Sequence, residues 1–163
     1  MRYLGRNPNA AKPIALVSMR EETDCFTCVT AMLLGLTYKE VESAFGGNID
    51  PSKGQDEASR FQEASRLQEA FAVLLEKHNR GMLQLPNVPP ITQGRRYWVG
   101  VQIDDPSKPL SLTMSHGIVI DEQGKVFDPN PQYGEFKSLD EWEAAMTLPH
   151  RIDHATEVFE YAL

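Results

Sequence analysis

The chain has 163 residues, 41% hydrophobic and 24% charged, a length and composition that suit one globular domain around one core. A formal net charge of −7, with Arg95-Arg96 the only adjacent basic pair, argues against a phosphate-binding face, so no nucleic-acid partner is expected. No apolar run nears the roughly 20 residues of a bilayer span, and the opening MRYLGRNPNAAKPIALV has no continuous apolar segment of a signal peptide, so no membrane association and, by default, a cytoplasmic location are expected.

Ile14-Ala-Leu-Val17 follows Pro13 and reads as an edge strand or an extended lead-in segment. Thr23 or Asp24 can cap a helix with Cys25, Cys28, Val29, Met32 and Leu33 at spacings of three and four, hence on one face, and Gly35 ends it. Thr37 with Glu40 reads as a capping box for a second helix through Phe45. Gly46 to Gln55 is a loop by composition. From about Ala58 to His78, the residues Phe61, Ala64, Leu67, Phe71, Leu74 and Leu75 recur at helical spacing. Gly81 to Gly94, with three prolines, is read as a long loop.

The period then shortens. Tyr97–Ile103, Ser111–Ile120 and Lys125–Asp128 are read as strands, the last two joined by a tight turn at Asp121-Glu-Gln-Gly124. Ser138 with Glu141 opens a short helix through Met146, and Glu157 to Tyr161 alternates like a closing strand. His150 and His154 are placed in a surface loop, and His78 at a helix end where a cation suits the dipole. Helices first and an antiparallel sheet second make an α+β fold.

Two cysteines three positions apart are too few for a disulfide framework and point to a reduced compartment. A redox Cys-x-x-Cys needs an exposed second sulfur, whereas Cys28 lies one turn into the helix on its apolar face. A zinc site needs ligands that the scattered histidines do not supply, and Asp50–Glu57 lacks the alternation of a calcium loop, so no metal is expected. Cys25 differs. It begins a helix, where unpaired N–H groups favour a thiolate, although Asp24 opposes this by like charge, so a partner histidine is required.

His116 interrupts an apolar strand, and the following turn supplies geometry. If the loop is Glu122-Gln123-Gly124 with Gly124 left-handed in a bulge, Asp121 pairs with Lys125, Ile118 faces Asp128 and His116 faces Asn130. His116 and Asp128 then share a face as diagonal neighbours, about 7 Å apart at their Cβ atoms. A two-residue loop would put them on opposite faces. Asp121 lies five residues along the strand from His116, about 17 Å away, and belongs to the turn.

Asp24-Cys25-Phe-Thr-Cys28-Val-Thr-Ala-Met32-Leu-Leu-Gly35, then Ser115-His116-Gly-Ile-Val-Ile-Asp and Gly124-Lys-Val-Phe-Asp128-Pro129, then Ser138-Leu-Asp-Glu-Trp142 resemble, in that order, the nucleophile helix, histidine strand, Asp-Pro turn and following short helix of papain-like cysteine peptidases. The closest likeness is to the bacteriocin-leader-processing peptidases and their stand-alone relatives. The resemblance implies a papain-like domain over the whole chain, with Cys25 as nucleophile, His116 as proton carrier and Asp128 as the orienting carboxylate. It also implies a peptide or protein substrate and no cofactor. The oxyanion hole would use the Cys25 backbone N–H and a side chain six residues earlier, where the family commonly has glutamine. Here that position is Met19, which cannot donate, followed by Arg20 as the candidate substitute. Phe26 stands where many relatives carry glycine. Two other readings share these residues: a weakly active domain that binds a peptide or protein partner in the same cleft, and a deamidase or transglutaminase-like acyl-transfer enzyme. Substrate specificity is expected in the loops 46–55 and 81–94.

Overall fold

Gly35 and Thr37 divide the N-terminal apolar run into two helices. Helix α1 spans Cys25–Leu34 and stops where Gly35 turns left-handed at φ 68°, a conformation glycine adopts without steric cost. Helix α2, Tyr38–Phe45, begins with the expected reciprocal cap: the Thr37 hydroxyl accepts from the Glu40 N–H and the Glu40 carboxylate from the Thr37 N–H. The computed structural model describes residues 12–21, 23–48, 57–85, 94–104 and 114–162. The expected loop at 46–55 lies outside these beyond residue 48, as does 86–93 of the second expected loop.

Helix α3 spans Glu57–Lys77. Among the described residues six strands follow: β1 Arg80–Leu85, β2 Tyr97–Ile103, β3 Met114–Ile120, β4 Val126–Asp128, β5 Gly134–Phe136 and β6 His150–Glu160, with helix α4, Leu139–Ala145, between the last two. They form one antiparallel sheet in the order β1-β6-β2-β3-β4-β5. The α+β class therefore holds. No helix among the described residues is long and apolar enough to cross a membrane.

Two readings are corrected. Residues 81–85, expected in a loop, form edge strand β1 against β6. His150 and His154, also expected in a loop, lie within β6, which runs seven residues further toward the N-terminus than the alternating segment 157–161 suggested. Ile14–Val17 takes no strand pairing, but Ile14 and Val17 pack on the core.

Side-chain alternation gives the sheet two apolar faces. Val119, Phe127 and Val158 face α1, α2 and α3, together with the fully buried Val29 and Val41. Tyr97, Val99, Ile118, Ile120 and Val126 face Trp142 of α4. Helix α1 is buried almost all round, from Thr27 to Leu34, and not on one stripe alone, because α2 and the sheet enclose it from different sides. At Gly117 there is little room between the helix and the sheet: a Cβ there would stand 3.1 Å from Val29 Cγ2 and 3.2 Å from Trp98 Nε1. The missing side chain lets the helix settle on β3, and Cys25, one turn before Val29, falls beside His116.

Candidate active site

The hairpin between β3 and β4 fixes the first pair of side chains. Gly124 is left-handed at φ 82°, its N–H reaches the Asp121 carbonyl at 3.0 Å, and the Asp121 N–H reaches the Lys125 carbonyl at 2.9 Å. This is the three-residue loop with a glycine bulge. Val119 consequently pairs with Phe127 and Ile120 with Val126, so His116 and Asp128 share a face. Their side chains meet: His116 Nε2 lies 2.7 Å from Asp128 Oδ1. Asp121 spends its Oδ1 on the Gln123 and Lys125 N–H groups, both at 2.9 Å, within the turn.

Asp128 is fully buried, and a buried carboxylate is tolerable only when its lone pairs are occupied. Besides His116, its Oδ1 accepts from the Asn130 N–H at 2.9 Å, and its Oδ2 accepts from the Trp142 indole N–H at 2.8 Å. Helix α4 is placed for this bond. Ser138 caps it by accepting from the Glu141 N–H, and Trp142 on the inner face is buried against the sheet.

With Nε2 committed to Asp128, Nδ1 is the imidazole nitrogen left for sulfur. Cys25 is half-buried at the head of α1 and lines the same pocket as His116. Burial pushes the His116 imidazole toward its neutral form, but the hydrogen bond and charge of Asp128 and the interaction with the Cys25 side chain outweigh it, and the pKa is raised to about 10. Cys28 is separated chemically from Cys25: burial first, then the negative charge of Asp24, pushes its thiol up to about 12.

These shifts predict a pH dependence of stability. His116 binds its proton more tightly in the folded chain than at its ordinary value of 6.5, so the stability it adds is fully present below pH 6.5 and is lost as pH rises through about 10. Cys28 stays protonated in the fold above its ordinary 9.0, which favours the unfolded chain from there to about 12. The urea midpoint should therefore fall steadily from pH 6.5 to 10, and His116→Gln should flatten that slope. A midpoint that rises over this interval would contradict the His116 assignment.

Asp24 behaves differently from the sequence expectation. It occupies the position before α1, but its side chain makes no capping bond there. Fully buried, it turns its Oδ2 back to accept from the N–H groups of Arg20, at 2.8 Å, and Glu21, at 3.3 Å, and from the Tyr38 hydroxyl at 2.7 Å. Asn48 extends the network by donating to Tyr38, Glu21 and Glu42. The carboxylate folds the segment ahead of the nucleophile helix and leaves the first-turn N–H groups of α1 uncapped by its side chain.

The oxyanion candidates separate. The Cys25 N–H begins α1 at the site. The Met19 N–H is bound to the Pro129 carbonyl at 2.8 Å, and the Arg20 guanidinium lies 4.0 Å over the Tyr38 ring. Among the described residues, neither Met19 nor Arg20 lines the pocket at Cys25. Among the described residues the walls come from Phe26, Leu67, Trp98, Gly100, Gly117 and His154, and thus from α1, α3, β2, β3 and β6; most of the two loops expected to set specificity lies outside the described residues. Sequence reading missed Trp98 and His154. The signal that could have located them is Gly100, a glycine inside the otherwise bulky run Tyr97–Ile103, since a glycine within a strand often marks close approach of another group.

In chemical terms, a thiol beside a protonated imidazole whose far nitrogen is held by a buried carboxylate is an arrangement able to carry acyl transfer. No family model matches the chain, and no curated protein matches it.

Proposed function

We propose that the protein is a papain-like cysteine hydrolase that cleaves a peptide, isopeptide or side-chain amide bond through Cys25, His116 and Asp128. The observation that carries the reading is the meeting of three residues from three separate elements, joined by the 2.7 Å bond of His116 to the buried Asp128 carboxylate and by the interaction of its imidazole with the Cys25 side chain. The order of helices before an antiparallel sheet fits the same family.

The Cys25 sulfur attacks the carbonyl carbon, the C–N bond breaks, and the departing amine leaves with the proton carried by His116. The resulting thioester is attacked by water, which gives a proton to His116. The C–S bond then breaks, releasing the acid and restoring the thiol. Asp128 holds the imidazole in one orientation and stabilises its cation. The oxyanion is stabilised by the Cys25 N–H and the uncapped first turn of α1, because Met19 supplies no side-chain donor. No cofactor enters.

The test is a peptide p-nitrophenyl ester. A burst of nitrophenolate equal to the protein concentration is expected, with the acyl mass on Cys25 and no burst in Cys25→Ala. Steady release without an acyl adduct would contradict the reading. A second reading, in which the domain binds a peptide partner with little turnover, is favoured by the Met19 side chain, and it predicts the acyl adduct without its hydrolysis. Product mass separates a deamidase from a peptidase, since deamidation changes a side chain by about one mass unit and cleavage divides the chain.

A further inference from the structure

We infer that the outer edge of β1 is the surface through which two copies of this chain pair. The two β1 strands run antiparallel about a two-fold axis at Met82, so that the two sheets continue as one.

The pairing of β1 with β6 decides which backbone groups remain. The Asn79 carbonyl accepts from the Tyr161 N–H at 3.2 Å, and the register steps on from Arg80 opposite Glu160. Residues of an antiparallel strand alternate between its two neighbours, so Gly81, Leu83 and Leu85 bond to β6. The N–H and C=O groups of Arg80, Met82 and Gln84 point outward, where no described strand pairs with them. Exposed edges are ordinarily blunted by shortness or by charge. The opposite edge, β5, has three residues, and its Glu135 pairs with Lys125 at 3.2 Å. Strand β1 has six residues, and Met82 and Leu83 at its centre are 53% and 46% exposed. The chain carries a net charge of −7, yet β1 holds no carboxylate. Its single charged side chain, Arg80, lies 3.5 Å from Glu160.

This edge is complementary to itself. With Met82 opposite the partner's Met82, Arg80 faces the partner's Gln84 and Gln84 the partner's Arg80, and every outward N–H and C=O of β1 finds a mate. An axis one residue to either side leaves Arg80 or Gln84 without a mate inside β1. The side chains agree with the same register. Gly81 and the partner's Leu83 become a close pair, with Cα atoms about 4.5 Å apart. Gly81 lies beneath two aromatic rings: a Cβ there would stand 2.6 Å from Tyr161 Oη and 2.7 Å from Phe159 Cζ. Those rings meet edge-on at 5.3 Å. The partner's Leu83 therefore packs beside an aromatic pair on one face of the sheet, while the two Met82 side chains meet on the other. Each exposed apolar side chain of β1 is covered by its symmetry mate. No residue of β1 lines the pocket at Cys25, so the inference stands apart from the acyl-transfer reading.

The test is sedimentation of the full chain from about 1 to 300 μM, a span in which small interfaces dissociate. The mass should move from the 18.3 kDa of one chain toward twice that value. Amide exchange at Met82 and Gln84 should slow as concentration rises. Met82→Lys and Met82→Glu each set like charges against one another at the axis and should weaken the dimer about tenfold or more. An equimolar mixture of the two variants places Lys opposite Glu and should dimerise again. Met82 is exposed, so circular dichroism of both variants should stay native. A chain that stays monomeric throughout would overturn the inference. So would a dimer that ignores both substitutions, or a mixture that associates no better than either variant alone. If the chain stays monomeric and an added peptide of the sequence Arg80–Leu85 protects the same amides, the edge serves another strand, and the dimer is equally overturned.

Discussion

Asp128→Asn should slow alkylation of Cys25 at pH 6 by about 10²- to 10⁴-fold while the far-ultraviolet circular dichroism stays native. All three groups around Asp128 point donors at it: the His116 imidazole, the Asn130 N–H and the Trp142 indole N–H. An asparagine has the same shape but offers one oxygen and one NH₂, so at least one partner then faces a donor. Either the imidazole loses its anchor, or a buried N–H goes unsatisfied at about 1–3 kcal/mol. Burial, which alone pushes His116 toward the neutral form, is no longer opposed by the Asp128 bond and charge, and its pKa falls. The proton facing Cys25 is then lost at lower pH. Asp121→Asn is the control. Its carboxylate serves only turn N–H groups, so the change should cost no more than about 1 kcal/mol and leave the alkylation rate alone. The reverse ranking of the two variants would remove Asp128 from the site.

Trp142→Phe should destabilise the chain by about 2–4 kcal/mol, read from urea unfolding at pH 7. Trp142 is fully buried among Tyr97, Val99 and Ile118, and its ring meets His150 edge-on at 5.3 Å. Phenylalanine keeps part of that packing but leaves a small void. It also strips the donor from Asp128 Oδ2, leaving a buried carboxylate oxygen unsatisfied. The His116 bond to the other oxygen survives, so Cys25 alkylation should fall less than in Asp128→Asn. A stability loss below about 1 kcal/mol would mean that the indole bond does not hold the carboxylate.

Local chemistry was legible in the residues wherever a short stretch of chain decided the outcome. Gly124 sets the hairpin register and thereby the common face of His116 and Asp128. Thr37 with Glu40, and Ser138 ahead of Glu141, mark two helix starts that the structure keeps. What stayed hidden depends on partners distant in sequence. In β1 only Gly81 is buried and Met82 and Leu83 are exposed, so the strand has no hydrophobic period to read and exists through its pairing with β6. The first half of β6, His150 to His154, reads as polar loop because those side chains remain partly or fully exposed. The sequence shows only the charge of Asp24 next to Cys25, but its role is set by Tyr38, which only the folding of α2 brings to it. The pocket is not legible in the sequence for a related reason: its described walls come from five elements, and only the glycine at position 100 signals it within a single segment.

The most direct test of the central claim is limiting iodoacetamide at pH 6, followed by mapping of the carboxamidomethyl group. Modification of Cys25 alone is expected. The His116 imidazole, protonated at pH 6, interacts with the Cys25 side chain, whereas Cys28 is buried with its thiol pushed up to about 12. Equal, slow labelling of both cysteines, rising only above about pH 8 as for free thiols, would contradict it.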